Sequence, residues 1–172
     1  MAEAMKGLHR SHRCTEVCAE DFGKSVTVMG WVQKQRNKGG IIFVDLRDRS
    51  GILQIIFEES DCGAEHFAKA EKLRSEYVVA VVGRVEKRAG AVNENLATGE
   101  IEVRAQELRI LSEADTPPFP IEADSRTKEE LRLKYRYLDL RRPDLQRNII
   151  LRSSIAANIR KFMTQEGFLE IE

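Results

Sequence analysis

The chain carries no net charge: 28 Lys and Arg offset 28 Asp and Glu over 172 residues. Whole-chain attraction for a polyanion is therefore absent, and any electrostatic case must rest on local clusters. No apolar run approaches the length of a membrane span. The N-terminus lacks the apolar stretch of a secretory leader. Cysteine is scarce: three scattered residues, an odd number, fit a reducing cytoplasm rather than a disulfide framework. A glycine-rich phosphate loop is missing, because Gly39-Gly40 is too short to cradle a phosphate. No catalytic constellation and no metal cluster stands out. What is present is 42% apolar and 33% charged residues, the balance of a folded globular chain without a disorder signature. The length allows one full domain plus part of another.

The most informative stretch lies between residues 26 and 57. Residues 26–33 read as a strand, residues 34–40 as a basic loop, and residues 41–48 and 52–57 as two strands rich in β-branched and aromatic side chains. Asp48 to Gly51 is short and turn-forming, which makes the last two a hairpin. Side chains alternate along a strand. Ile42, Val44 and Leu46 therefore face a core, as do Leu53, Ile55 and Phe57. Phe43, Asp45, Arg47 and Gln54 face outward. An outward aromatic beside Gln54, next to Lys34, Arg36 and Lys38, suits an oligonucleotide. A base can stack on Phe43, Gln54 can offer a donor and an acceptor to a base edge, and the cations can meet phosphates. The same residues also fit a cross-strand aromatic covered by a neighbouring domain, with a solvated charged loop and an Asp45–Arg47 pair across the sheet. Trp31 fits the core or the barrel rim.

Upstream, His9, His12, Cys14 and Cys18 crowd one short segment. Zinc pairs are usually separated by a dozen or more residues, so the better reading is a lead-in with Cys14 and Val17 packed inward. Downstream, residues 58–63 read as a loop and residues 64–75 as a helix with Phe67, Ala70 and Leu73 on one face. A strand at 77–87 follows, with Gly83 at a bulge or bend. A loop at 89–99 and a last strand at 100–111, whose alternation slips near Ala105, complete the set. Three strands, a helix and two strands predict a five-stranded OB-fold barrel. That fold binds ligands on the face of its second and third strands and with two of its loops, and Phe43, Gln54, residues 34–40 and residues 88–99 occupy those places. The fold reading rests on the order of elements and the surface reading on which side chains face outward, and the two agree on nucleic acid.

Three prolines between 116 and 120 predict a stiff extended linker. Thr127 and Glu130 form a capping-box pattern opening a helix with Leu131, Leu133, Tyr135, Tyr137 and Leu138. Pro143 suits the first position of a further helix that stops at Gly167. Residues 168–172 read as a strand without a partner, the expected start of another domain. Basic charge gathers twice, five basic against two acidic residues from Trp31 to Gln54 and eight against four from Arg126 to Arg147.

Several stretches resemble the N-terminal part of bacterial-type aspartyl-tRNA synthetases, which are class II aminoacyl-tRNA synthetases. They are Arg10-Ser-His-Arg-Cys14, Gly30-Trp-Val32, residues 34–40, Phe43-Val-Asp-Leu-Arg-Asp48, Ala97-Thr-Gly-Glu-Ile-Glu-Val103 and Leu133-Lys-Tyr-Arg-Tyr-Leu-Asp-Leu-Arg-Arg-Pro143. Residues 162–172 resemble the opening of the first class II motif. The resemblance implies a mainly β chain with helices. An OB-fold anticodon-binding domain would span 1–115, a hinge 116–143, and the truncated start of a class II catalytic domain 144–172. It implies that Phe43 stacks on the middle anticodon base and Gln54 reads that base's edge. Lys34 and Arg36 would meet the anticodon loop, Arg88, Asn93 and Glu102 would lie near the outer bases, and Arg74 would touch the backbone. The partner implied is aspartate tRNA, with charging of asparagine tRNA left open. ATP and Mg would act in the full-length enzyme, a cytoplasmic homodimer built through the helix after Pro143. The stretch itself would have no cofactor, no catalytic residue and no metal ligand, and would be inactive alone. A free-standing OB-fold that binds single-stranded nucleic acid, or a protein-interaction module using the same face, are the alternative readings.

Overall fold

The computed structural model describes residues 2–123 and 125–171. They fall into two compact units, Met1–Pro117 and Pro118–Glu172. In the first unit the strands are β1 (Ser25–Lys38), β2 (Ile41–Arg47), β3 (Ile52–Glu58), β4 (Val78–Lys87) and β5 (Ile101–Ser112), with helix α1 (Glu59–Glu71) between β3 and β4. The strands close a barrel in the order β1-β2-β3-β5-β4. All pairings are antiparallel except β3 with β5. The expected five-stranded OB-fold is thus the observed one.

The core follows the alternation read from sequence. Ile42, Val44, Leu46, Leu53, Ile55 and Phe57 are buried, and Val26, Val28, Val81, Val103 and Leu108 meet them. Cys14 and Val17 close one side, and burial pushes the Cys14 thiol up. Ala70 from α1 and Leu73 just after it close another side, with Phe67 packed against them. Two glycines allow the tight curvature. A Cβ on Gly30 would lie 2.4 Å from the Arg47 carbonyl oxygen, and one on Gly83 would lie 2.3 Å from that of Arg104. Gly83 also sits at a register shift against β5, where Val82 pairs with Glu107 and Gly83 with Ala105. That shift is the slip in alternation seen near Ala105.

The hairpin turn is tied by Asp48. Its carboxylate accepts from the Ser50 N–H at 2.7 Å, the Ser50 hydroxyl at 2.6 Å and the Cys14 N–H at 3.0 Å. Burial works against its charge, yet these bonds hold the carboxyl below its usual range.

Two local expectations change. Residues 34–38 are strand, not loop: β1 continues to Lys38, opposite β2, after a bulge between Val32 and Lys34. Only Gly39 and Gly40, at φ 61° and 93°, make the turn. Residues 59–63 belong to α1, which kinks at Gly63, φ 75°. The helix starts early because Glu59 and Asp61 supply acidic side chains to its first turn.

The second unit holds α2 (Glu129–Lys134), α3 (Arg136–Asp139) and α4 (Pro143–Gln165). The Thr127 capping box does not form. The Thr127 hydroxyl bonds Ser125 at 2.7 Å, and Lys128 takes the cap position. The single helix expected there breaks at Tyr135, φ −111° and ψ 48°. The proline segment is more than a spacer, since Phe119 and Ile121 are buried against Leu138. Asp139, fully buried, gathers the guanidinium groups of Arg136 and Arg142, and Arg142 also donates to the Glu122 carbonyl at 3.0 Å. Pro143 opens α4, as expected. At its other end Gly167 N–H donates to Thr164 O and Phe168 N–H to Met163 O, a glycine-closed terminus. Residues 168–171 form no strand, having no neighbouring strand to pair with among the described residues. The expectation at Glu172 lies outside the described residues.

Candidate nucleic-acid interface

The outer face of β2 and β3 is assembled by strand register. Arg36 on β1 pairs with Phe43 on β2. Phe43 in turn pairs with Ile56 on β3, and Gln54 pairs with Glu102 on β5. Cross-strand partners point to the same face. Extension of β1 through residues 34–38 is what brings Arg36 beside Phe43, so the change from loop to strand builds the site rather than removing it.

A cleft of about 440 Å³ opens on this face. Arg36, Lys38, Phe43, Gln54, Arg88 and Glu102 line it, together with Ile41, Ile56, Glu58, Arg104 and residues 89–91. Five of the eight side chains expected from the sequence therefore meet in one place. Phe43 is half-buried, leaving ring surface towards the cleft. Gln54 is expected on an open strand face, but it is only 4% exposed, and Glu102 beside it only 2%. Parallel pairing of β3 with β5, under the 88–99 loop, covers them.

At the cleft floor Arg88 donates to Gln54 Oε1 at 2.8 Å, and Gln54 Nε2 donates to Glu102 Oε2 at 3.2 Å. Glu102 Oε1 accepts the Ala89 N–H at 3.3 Å. Burial pushes the Glu102 carboxyl above its usual range, against these hydrogen bonds. Beside this row, the Arg104 guanidinium lies against Glu58 at 3.1 Å, Asp61 at 2.8 Å and Glu86 at 2.9 Å. Asp61 and Glu58 raise its pKa, and the three carboxylates together hold it in place. Arg36 pairs with Asp45, while its Nε is buried without a hydrogen-bond partner. The pairing anticipated for Asp45 with Arg47 does not occur. Arg47 instead makes a two-pronged ion pair with Glu76, both contacts 2.8 Å.

The other three candidates stand apart from the cleft lining. Lys34 is exposed on the same face of β1, opposite Asp45. Arg74 follows α1 and donates to the Glu71 and Leu73 carbonyls at 3.4 and 3.1 Å. Asn93 holds the 88–99 loop, its side chain accepting the Asn95 N–H at 3.2 Å and its backbone N–H donating to Gly99 O. Lys38 was legible from the basic run beside Phe43, whereas Arg104 was legible in one way only, by carrying strand alternation on from Glu102. Trp31 is half-buried, opposite Arg47 and Val78. Among the described residues no group of His, Cys, Asp or Glu is placed to hold a metal ion, and no helix is long and apolar enough to cross a membrane.

Comparison with known proteins agrees with this geometry. Residues 26–111 match the family model for the OB-fold nucleic acid binding domain, and residues 128–172 match that for tRNA synthetases class II (D, K and N). All of the chain aligns with the aspartate–tRNA(Asp/Asn) ligase of Lachnoclostridium phytofermentans at 76% identity, and with the aspartate–tRNA ligase of Agathobacter rectalis at 67%. The chain spans 29% of the length of each of these relatives. The solved aspartyl tRNA synthetase from Entamoeba histolytica shares the fold, with TM-score 0.86 and 22% identity, over 97% of this chain and 39% of that one.

Proposed function

The chain belongs to the OB-fold nucleic acid binding domain family, and on that premise we propose that it is the anticodon-reading part of an aspartate–tRNA ligase. The observation that carries the proposal is the cleft on β2 and β3, where a half-buried aromatic, a paired amide and cations converge. The middle anticodon base stacks on Phe43 and meets Gln54 at its edge. Arg36, Lys38 and Lys34 face the phosphates of the loop. The unpartnered Arg36 Nε gives the site one buried donor that a ligand oxygen would satisfy. Arg88, Glu102 and Asn93 lie near the outer bases, and Arg74 meets the backbone further along. Aspartate tRNA is the partner, and the relatives' names, one Asp and one Asp/Asn, bring asparagine tRNA in as a second.

For the whole protein we propose ATP-dependent attachment of aspartate to tRNA in the cytoplasm, as a homodimer. ATP and Mg serve that full-length enzyme, and this chain alone is inactive in ligation. The exposed apolar row Leu151, Ile155, Ile159 and Phe162 on α4 supports self-association.

The test is a fluorescence titration with an anticodon stem-loop reading GUC, alongside one with the middle base changed, at two salt concentrations. A loss of about 1–3 kcal/mol on the base change is expected for a specific base contact. Phe43→Ala should cost a similar amount, about 1–3 kcal/mol, through lost stacking. Equal, salt-sensitive binding of both stem-loops would leave only a sequence-tolerant single-strand binder. No binding to either would assign the face to protein contacts.

A further inference from the structure

Gln54 is held on both sides by groups of fixed hydrogen-bonding sense. A carboxylate can only accept, and a guanidinium can only donate. Glu102 on one flank therefore demands the Gln54 amide nitrogen, and Arg88 on the other demands its oxygen, as their 3.2 and 2.8 Å contacts place them. Rotating the amide by half a turn would set oxygen against carboxylate and N–H against guanidinium, two repulsions at a site only 4% exposed. Glu102 is itself pinned by the Ala89 N–H.

We infer that Glu102 and Arg88 are positioning residues that lock the Gln54 amide in one orientation, and that this lock gives the site its ability to tell uracil from cytosine. The inference rests on the reading of the cleft as an anticodon site. After both flanks are bonded, the amide keeps one N–H and one oxygen lone pair for a ligand. Uracil presents an N–H beside a carbonyl, whereas cytosine presents a bare ring nitrogen beside an amino group. The two edges have opposite donor–acceptor order. A freely turning glutamine satisfies either by flipping. A locked one satisfies a base held on Phe43 in only one of the two orders. Discrimination then comes from two side chains that need not touch the base. Arg88 and Glu102 thereby gain a role different from contact with the outer bases.

The experiment measures binding of the chain to three stem-loops: the GUC loop, its middle U→C counterpart and one with an outer base changed. The proteins are wild type, Gln54→Ala, Glu102→Gln, Arg88→Met and the Glu102→Gln/Arg88→Met double variant. Wild type should prefer U over C by roughly 5- to 150-fold, the span of a specific base contact. Each flank variant should lower that ratio, and the double variant should bring it towards parity. In Glu102→Gln the ratio for the outer base should fall by less than the U-to-C ratio. Wild-type Gln54 should also show slowed hydrogen exchange at Nε2 by NMR, lost in Glu102→Gln, a readout that does not depend on RNA. An unchanged U-to-C ratio in the double variant, or fast Nε2 exchange in wild type, overturns the lock. A selective loss at the outer base instead would make these residues direct readers and also overturn it. If wild type and Gln54→Ala bind all three loops alike, the anticodon reading itself has failed, which separates the two conclusions.

Discussion

Glu76 is the one residue other than glycine with a positive φ, 67°, among the described residues, and it also holds Arg47 through two 2.8 Å contacts. The two side chains are 7% and 12% exposed. Losing one member of so buried a pair costs about 3–5 kcal/mol, because Arg47 stays in place without its carboxylate. Glu76→Ala should therefore destabilise the barrel by about 3–5 kcal/mol. Glu76→Gly loses the same pair but relieves a left-handed backbone worth about 1–2 kcal/mol. Part of that gain, about 0.5–1 kcal/mol, is returned through the greater freedom of glycine in the unfolded chain. The glycine variant should thus be more stable than the alanine variant by about 0.5–1 kcal/mol, although glycine is usually the poorer choice. The assay is urea unfolding followed by Trp31. It is the single tryptophan of the chain, and it lies opposite Arg47 in the β1–β2 register, so its emission reports on this corner of the barrel. An alanine variant within about 1 kcal/mol of wild type would refute the desolvated pair. A glycine variant less stable than the alanine variant would refute backbone strain at this position.

Two further expectations use the same unfolding assay. Gly83→Ala would put a Cβ 2.3 Å from the Arg104 carbonyl oxygen and 2.7 Å from Val103 Cγ1. The first neighbour is backbone and cannot swing away, so a loss of about 2–4 kcal/mol is expected, and a silent substitution would mean the bulge is looser than its register indicates. The pH dependence includes contributions of opposite sign, of which Asp21 and Glu102 are examples. Asp21 is held down to about 2 by Lys24 and the Cys18 N–H, so its contribution is present above the usual carboxylate value and fades as pH falls towards 2. Glu102 is pushed up by burial, so the folded chain holds its proton more tightly, and stability from this group declines as pH rises from the usual carboxylate value through the folded one. Asp21→Asn should flatten the acid limb, and Glu102→Gln should remove the decline, both read from unfolding midpoints between acid and neutral pH.

Much of the barrel could be read without coordinates because its period-2 pattern is strong. Ile42, Val44 and Leu46 against Leu53, Ile55 and Phe57 leave one choice of inner face, since a shift of one residue would turn every one of them to water. The same pattern put Phe43 and Gln54 on the outside, and Gly83 and the slip at Ala105 marked the bulge. Local signals were weaker where a short motif competed with tertiary contacts. The basic run at 34–38 looks like a loop by composition, but pairing with β2 makes it strand. Thr127 looks like a cap, but Ser125 claims its hydroxyl. Phe119 lies in a proline spacer, yet Leu138 offers it a buried site.

The sequence by itself determined the fold, the inner and outer faces, and the choice of Phe43 and Gln54 as the side chains proposed to meet a base. Alternation along a strand and turn chemistry are local properties, and they need no knowledge of distant residues. Only the tertiary structure decided how Gln54 is used. Glu102 lies 48 residues away and Arg88 lies 34, and both reach the amide because β3 runs parallel to β5 beneath the 88–99 loop. That closure buried Gln54, which was expected on an open face, together with Glu102. It also decided that three carboxylates hold Arg104 and that Arg47 pairs with Glu76 rather than Asp45. Hydrogen-bond partners and burial depend on which distant strands become neighbours, and that is a property of the closed barrel rather than of any single segment.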